Sequence, residues 1–228
     1  ILVNAYGFGP GKRLKQLDST TLDSLKVYVG LDKIKISEEG KIIKDDKSVY
    51  LDFNSIAKGY CIDRIGAMLE ENGVEHYLIE LGGELLAHGK NLSKGQAWRV
   101  GIENINAPVT DRDYTEAVSL ENKGMAGSGN YRKFRVDSVT GQRYVHTVNP
   151  LTGLAEKSDV LSSTVIAKTC AEADAYATAF MALGFERSKQ VLEQADAIDA
   201  YLLYTESKGD SVQVYMSTKF QEYLIPAN

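Results

Sequence analysis

One predicted helix carries two oxygen-bearing side chains that could bind a hard metal ion. Thr169 and Glu172 have the T-x-x-E spacing of a capping box, so we expect a helix to begin at Cys170. Asp174 and Thr178 then lie one turn apart on the same face of that helix. Since Mg²⁺ prefers oxygen ligands and keeps several waters, this carboxylate and hydroxyl, with a carbonyl from elsewhere, would suffice to bind it.

A purely structural interpretation of Asp174 and Thr178 stays open. A threonine inside a helix often hydrogen-bonds to the carbonyl four residues earlier, and a lone helical aspartate is usually solvated. Helical spacing alone does not choose between these contacts and a metal site.

The segment LDFNSIAKGY, residues 51–60, could bind an anion. Lys58 falls in the first turn of a predicted helix, where the helix dipole disfavours a cation unless an anion lies nearby. Backbone N–H groups at this helix start, beside Asp52 and Ser55, would form a site for a diphosphate. Alternatively, Asn54 or Ser55 caps the helix and Lys58 extends into water.

Two later segments could also meet a ligand. The glycine-rich stretch at residues 124–134 would let the backbone approach a ligand, and His146 could act as a base or orient a phosphate. Both regions could instead be hairpin turns, the second at NPLTG, residues 149–153. The sequence has neither a GxxxxGK[ST] loop nor a G-x-G-x-x-G before a helix, so nucleotide binding would use another arrangement.

Composition excludes several classes of protein. The 228 residues are 43% hydrophobic and 25% charged, which is typical of a globular protein with a buried core. The net charge of -5 provides no basic field for a nucleic acid. Two cysteines and three histidines, without CxxC or HExxH spacing, argue against a zinc site. No apolar run approaches the roughly 20 residues that span a bilayer.

Strands and helices that would position these residues come in blocks. Helices are predicted over residues 17–28, with Ser19 or Thr20 as the cap, over 54–72 and over 169–184. Strands are predicted at residues 33–36, 41–44, 48–53, 76–81, 84–89, 97–103, 160–167, 196–205 and 211–217. This order favours an α+β fold with a mixed, mostly antiparallel sheet, in one domain over residues 1–228.

Seven segments carry a family resemblance: YGFGP (6–10), LDFNSIAKGYCID (51–63), YLIELGGELLAHG (77–89), WRVGIE (98–103), GSGNYRKF (127–134), HTVNPLTG (146–153) and EADAYATAFMALG (172–184). Taken together and in this order, they resemble the ApbE-like FAD:protein FMN transferases.

The resemblance implies an ApbE-like fold and a magnesium-dependent transferase. Such an enzyme moves FMN from its substrate FAD to a Ser or Thr hydroxyl of an acceptor protein and releases AMP. The residues implied for Mg²⁺ are Asp174, Thr178 and the carbonyl of Ser55. The residues implied for FAD are Asp52, Lys58 and Val148. His146 matches the family histidine near the diphosphate, and we predict that it is the base that takes the hydroxyl proton.

The sequence departs from the family pattern at several positions. Gly127 stands where many members have threonine, Asn149 where aspartate is common, and Ala177 where some have a further acidic ligand. Metal affinity is therefore expected to differ. YGFGP lies well inside the usual family sequence, so we expect an N-terminally incomplete chain that lacks part of the FAD pocket. Such a chain would bind FAD weakly or not at all and have little transferase activity, whereas the full-length protein would be active.

Two other functions remain open from the sequence. The same metal site could split FAD into FMN and AMP with water as the acceptor, or the protein could bind flavin without catalysis. Family members are mostly exported and often membrane-anchored lipoproteins. The resemblance therefore implies a periplasmic or cell-envelope location, with anchoring of the full-length protein.

Overall fold

The computed structural model describes residues 1–14, 17–105, 107, 113–129, 134–136, 143–145, 147–155, 158–206 and 211–226, with residues 134–136 and 143–145 as backbone only. Helices α1 to α5 comprise Leu2–Tyr6, Ser19–Lys26, Ala57–Glu71, Cys170–Leu183 and Phe185–Gln194. Two 3₁₀ helices comprise Leu31–Lys33 and Thr218–Tyr223. Strands β1 to β12 comprise Ile34–Ile36, Ile42–Lys44, Tyr77–Leu81, Glu84–His88, Trp98–Glu103, Tyr114–Leu120, Lys123–Gly129, Phe134–Val136, Arg143–Val145, Val160–Ala167, Asp199–Tyr204 and Gln213–Met216.

The chain forms two compact units. A smaller unit comprises Ile1–Asp52 and Lys133–Lys157, and a larger unit comprises Phe53–Arg132 and Ser158–Asn228. The assignment of the whole chain to one domain stays a prediction. No helix in the described residues is both long enough and apolar enough to cross a membrane.

The smaller unit packs around α1 and α2. Leu2, Tyr6, Leu22 and Ala155 are its buried core residues. The predicted cap of α2 was wrong by one or two positions, because Asp18 accepts a hydrogen bond from Thr21 N at 2.8 Å and Ser19 is already helical. Two antiparallel pairs, β1 with β2 and β8 with β9, complete this unit.

Residues 48–53 do not form the predicted strand. Only Val49 is buried, and Tyr50 and Phe53 are more than half exposed. The carbonyls of Lys47 and Val49 accept hydrogen bonds from the ammonium of Lys44, which is a side-chain donor. In a strand, such carbonyls would accept from backbone N–H groups of a neighbouring strand. An alternating pattern therefore produced no strand here, because no sheet edge pairs with it. The predicted strand-to-helix junction at residues 52–55 is instead a loop and turn that lead into α3.

The larger unit is built on one antiparallel sheet with the order β12-β11-β10-β7-β4-β3. Alternate residues of its strands pack against α4 and α5 on one face, around Phe180 and Leu202. The other face packs against the β5–β6 hairpin and the C-terminal 3₁₀ helix, around Val118 and Phe220. This arrangement confirms the predicted α+β class.

Helix α5 was missed because its cap lies far away in the sequence. Gly184, with φ of 78°, ends α4, and α5 begins at the next residue. Phe185 N donates at 2.9 Å to the carboxylate of Asp159, which lies 26 residues upstream. No local cap pattern marks this start. By contrast, α4 begins at Cys170 with the predicted capping box of Thr169 and Glu172.

Candidate functional site

Polar side chains from two helices and two strands of the larger unit are linked through Asp174 and Thr178, which lie one turn apart on α4. We call this set the α3–α4 polar cluster; its members are Lys58, Glu84, Ser128, Asp174 and Thr178. The packing of α3 against α4 brings these elements together.

The two helices cap each other. Near the start of α3, Gly59 N donates at 3.0 Å to Oδ2 of Asp174, which belongs to α4. At the start of α4, Cys170 N donates to Oδ1 and Ala171 N donates to Oδ2 of Asp63, both at 2.8 Å, and Asp63 belongs to α3. Orphan N–H groups of each helix are thus satisfied by an aspartate of the other. This exchange holds Asp174 in place.

Two glycines allow this close approach. A Cβ atom on Gly59 would lie 2.4 Å from the carbonyl oxygen of Cys170, and one on Gly124 would lie 2.4 Å from Cys170 N. Gly124 therefore faces the start of α4 and not a ligand. The glycine-rich segment is strand β7 in its described part, Lys123–Gly129, so residues 124–129 form neither a ligand loop nor a hairpin turn, and residues 130–133 lie outside the described residues. The second region does form the predicted turn, in which Asn149 Oδ1 accepts from Leu151 N at 2.9 Å.

Lys58 lies in the first turn of α3, as predicted, and its ammonium is paired although about half of the side chain is exposed. Its ammonium donates a hydrogen bond to Oε2 of Glu84. The side chain of Glu84 is 2% exposed and that of Lys58 is 47% exposed, so the pair runs from the interior to the surface. Ile56 is the N-cap of α3 and makes no side-chain cap bond, so neither Asn54 nor Ser55 caps this helix.

Sequence reasoning missed Glu84. It lies in a segment quoted for the family resemblance, but it was given no role because its sequence spacing matches no ligand pattern. A signal did exist: Glu84 follows two glycines and precedes the apolar run Leu85–Ala87 of a predicted strand. A glutamate that shares an apolar strand needs a charged partner if it is buried.

The cluster holds two buried carboxylates and one ammonium. Burial raises the pKa of Glu84, and the charge of Asp174 adds to this rise, although the hydrogen bond and charge of Lys58 oppose it. Burial also raises the pKa of Asp174, against the hydrogen bond from Gly59 and the charge of Lys58. When both carboxylates are ionised, the cluster carries two negative charges and one positive charge. An added cation would therefore stabilise the ionised form.

The oxygen atoms present could serve as ligands of a hard cation that has few protein ligands. No N–H or O–H of the described chain donates to Oδ1 of Asp174 or to the carbonyl of Ser55. Thr178 Oγ1 lies 3.4 Å from Ser128 Oγ, and within the described ranges it makes no bond to the carbonyl four residues earlier. Nor is Asp174 solvated, since it is 3% exposed. Asp174 is therefore not solvated and Thr178 does not make the expected bond within its helix, but Asp174 does have a structural role as the acceptor for Gly59 N.

All the oxygens are of the type that Mg²⁺ prefers. Among the described residues, no group of three or more His, Cys, Asp or Glu side chains could hold a metal. Protein ligation here would therefore be sparse, with one carboxylate, one hydroxyl and one carbonyl. Such a shell leaves room for waters and for substrate phosphates, as magnesium sites in phosphoryl-transfer enzymes do.

The remaining predicted site residues lie elsewhere. Ser55 is in the turn that leads into α3. Asp52, which is exposed, and Val148, which packs against the core of Leu2 and Tyr6, belong to the smaller unit. His146 lies outside the described residues. The larger unit thus brings together Lys58, Asp174 and Thr178, while the roles of all these residues stay predictions.

Comparison with known proteins gives one consistent result. The model of the ApbE family matches residues 1–202. The FAD:protein FMN transferase of Escherichia coli K12 is 33% identical over 229 residues, which cover 98% of this chain and 63% of that protein. The protein of the same name from Haemophilus influenzae is 35% identical over 214 residues, or 91% of this chain and 60% of the relative. The chain thus spans less than two thirds of these relatives.

Solved structures agree with this comparison. The flavin transferase ApbE from Vibrio cholerae superposes with a TM-score of 0.81 at 30% identity, over 98% of this chain and 68% of that one. The ApbE protein from Thermotoga maritima has a TM-score of 0.83 at 22% identity, over 99% and 70% of the two chains, and this second match supports the fold alone.

Proposed function

Because the chain belongs to the ApbE family, we propose that the protein transfers FMN from FAD to a Ser or Thr hydroxyl of an acceptor protein. The reaction releases AMP and depends on magnesium. The names of the relatives support FAD as the FMN donor and a protein as the acceptor. These names also favour a transferase over a protein that only binds flavin.

One observation carries the proposal: buried Asp174 is held by Gly59 N beside the ammonium of Lys58. Transfer of a phosphoryl group depends mainly on positioning and on positive charge around the phosphate oxygens. The backbone bond fixes the carboxylate, and Lys58 supplies a cation at the same helix start. This combination suits a diphosphate substrate such as FAD.

The proposed step exchanges one P–O bond for another. The acceptor hydroxyl oxygen attacks the phosphorus of the FMN portion, the bond from that phosphorus to the bridging oxygen breaks, and AMP leaves with the bridging oxygen. The hydroxyl proton goes to a base, for which we propose His146. Lys58 stabilises charge on the diphosphate oxygens.

Asp174, Thr178 and the Ser55 carbonyl would hold the magnesium ion. When bound there, Mg²⁺ neutralises diphosphate charge and makes the phosphorus more electrophilic. Gly59 N keeps one oxygen of Asp174 occupied, so the other oxygen is the one that this residue can offer. We propose that Asp52 and Val148 contact FAD.

The test uses the full-length protein with FAD, Mg²⁺ and a candidate acceptor. We expect fluorescent flavin covalently bound to the acceptor on a denaturing gel, with AMP in solution. Both products should disappear with EDTA, with Asp174→Ala, and with an acceptor whose target Ser or Thr is changed to Ala. AMP with free FMN only would make the protein an FAD pyrophosphatase, and a failure to form either product with a known family acceptor would overturn the proposal.

We also propose that the full-length protein works in the periplasm or cell envelope. The support is the family resemblance alone. Fractionation of cells that express the full-length protein, followed by immunodetection, tests this location. Recovery of the protein only in the cytoplasmic fraction would contradict it.

A further inference from the structure

Glu84 is the charged member of the α3–α4 polar cluster to which the proposed function gives no role. It is the first residue of β4 and directly follows the turn at Gly82 and Gly83, whose φ angles are 64° and 104°. Two residues with positive φ form the tight hairpin turn that suits twisted strands, and Leu81 pairs with Glu84 across it. The backbone that carries Glu84 is therefore well fixed.

The carboxylate of Glu84 is buried and has one cationic partner. Its side chain is 2% exposed, and Oε2 accepts the hydrogen bond from Lys58 Nζ. Removing one partner from such a pair leaves a buried charge that is costly. Glu84 therefore holds the ammonium of Lys58 firmly, although much of the lysine side chain reaches solvent.

Without this partner, Lys58 would be poorly placed for its proposed task. A lysine has a flexible stem and a strongly hydrated ammonium, so it samples many positions when it is free. The positive end of the α3 dipole also disfavours a cation in the first turn. The bond to Glu84 keeps the ammonium close enough to act on Asp174, whose carboxylate binds the next residue, Gly59.

We propose that Glu84 is a positioning residue, which fixes the Lys58 ammonium where the phosphates of FAD meet it. Glu84 itself contacts neither FAD nor the metal and acts only through Lys58. The identity of the ligand in this inference rests on the proposed function.

Chemical labelling tests the positioning without any assay of activity. The rate at which an acylating reagent modifies each lysine of the full-length protein is measured by peptide mass spectrometry. Since the ion pair with Glu84 shields the amine of Lys58 from the reagent, Glu84→Gln should free this side chain and speed modification of Lys58 about 10-fold. Lys90, whose exposed pair with Glu121 spans 3.9 Å, is the internal control and should change less than about twofold. An unchanged rate for Lys58 would overturn the inference.

Kinetics with FAD tests the consequence for the reaction. We expect Glu84→Gln to lower kcat/KM for FAD by about 10- to 100-fold. Because Glu84 acts through Lys58, the double variant Lys58→Met/Glu84→Gln should match Lys58→Met within about twofold. If Glu84→Gln does not fold, Glu84→Asp replaces it in both the labelling and the kinetic test, because its shorter side chain keeps the charge but draws it back from Lys58. Glu121→Gln should keep the activity of the unchanged protein.

The outcomes separate the two proposals. A purely structural Glu84 would lower the melting temperature but leave kcat/KM and the labelling rate of Lys58 unchanged in the folded variant. That result overturns the positioning role while the transferase stands. If the unchanged protein transfers no flavin to a known family acceptor, the proposed function fails, and the labelling rates alone decide whether Glu84 holds Lys58.

Discussion

Ser163 is a fully buried serine whose hydroxyl has no hydrogen-bond partner in the described structure. It lies opposite Ser128 in the β10–β7 pair and on the face that packs against α4. A buried hydroxyl without a partner costs about 1–3 kcal/mol, so Ser163→Ala should leave the free energy of unfolding unchanged or raise it.

Ser188 provides the matched control for that substitution. It is also fully buried, but its hydroxyl donates to the Gly184 carbonyl at 2.6 Å. Ser188→Ala should therefore lower the free energy of unfolding by about 1 kcal/mol. Urea denaturation of both variants measures the difference, and a larger loss for Ser163→Ala than for Ser188→Ala would contradict this assignment.

Gly59 is expected to tolerate no side chain, although alanine favours helices. Gly59→Ala gains up to about 1 kcal/mol in helix propensity. Its Cβ would lie 2.4 Å from the Cys170 carbonyl oxygen, and forcing an extra methyl into such a contact costs about 1–3 kcal/mol. The steric cost is the larger, so we expect a net loss of stability in thermal unfolding.

Gly127→Ala is the control for the Gly59 prediction. A Cβ at Gly127 would meet no heavy atom within 4 Å. This variant should therefore unfold at a temperature close to that of the unchanged protein. Equal melting temperatures for Gly59→Ala and Gly127→Ala would show that α3 and α4 can separate without cost.

At the residue scale, local sequence patterns predicted contacts that are made locally. The Thr169–Glu172 capping box and the place of Lys58 in a first helical turn depend on neighbours within a few residues. Glu84 was missed because its burial and its partner depend on residues 26 positions apart. Only the folded chain brings that lysine and glutamate together.

Elements of the larger unit depend on one another through the exchanged aspartates. Asp63→Ala would leave Cys170 N and Ala171 N, both bonded at 2.8 Å, without their carboxylate. We expect a loss of about 1–3 kcal/mol in the free energy of unfolding, because these N–H groups lie against α3, where water reaches them poorly.

Asp18→Ala is the corresponding control on α2. Its carboxylate also caps a helix, at 2.8 Å from Thr21 N, but this cap is exposed and water can replace it. The loss should be smaller, at about 0.5–1 kcal/mol. Denaturation curves that give Asp63→Ala the smaller loss would refute the structural importance of the exchange.

Prediction of elements from the sequence succeeded where caps or turns were local. The strands on either side of Gly82 and Gly83, strands β11 and β12, and helix α4 were all expected from nearby residues. Helix α5 was not, because its cap comes from Asp159, and residues 48–53 were wrongly assigned to a strand because pairing requires a partner edge. Misses therefore occur where a distant group supplies the hydrogen bonds.

The stability of the folded chain should fall at high pH through Tyr223. Burial and the nearby carboxylates of Asp199 and Glu222 raise the pKa of Tyr223 from 10.0 to about 12. Its hydroxyl donates to Asp199 Oδ2 at 3.2 Å. Between these pH values the unfolded chain releases the proton and the folded chain keeps it, so the free energy of unfolding decreases as pH rises.

Tyr223→Phe tests this pH dependence. The variant should show a shallower decrease in the free energy of unfolding between pH 10 and about 12, measured by urea denaturation at a series of pH values. Tyr77 and Tyr201 also have raised pKa values, so part of the decrease will remain. A slope equal to that of the unchanged protein would contradict the contribution of Tyr223.

For the whole molecule, the order of motifs predicted more than any single motif did. Taken alone, Asp174, Lys58 and the glycine-rich segment each had a structural alternative. Their sequence order indicated the ApbE family, and the match to residues 1–202 confirmed it. The fold class followed from the block order of strands and helices. The division into two units could not be predicted, because the smaller unit is discontinuous in the sequence. It combines Ile1–Asp52 with Lys133–Lys157, and residues of the larger unit lie between them.

The exchange of aspartates between α3 and α4 also determines when the site can form during synthesis. Gly59 and Asp174 are 115 residues apart, so the ribosome makes the first helix well before the second. At about 5–20 residues per second, this separation corresponds to a delay of roughly 6–23 s. During that interval the start of α3 lacks its partner carboxylate from Asp174, whereas Glu84, the partner of Lys58, follows Gly59 by only 25 residues. Maturation of the site is therefore a late event, completed only after most of the sheet has been synthesised.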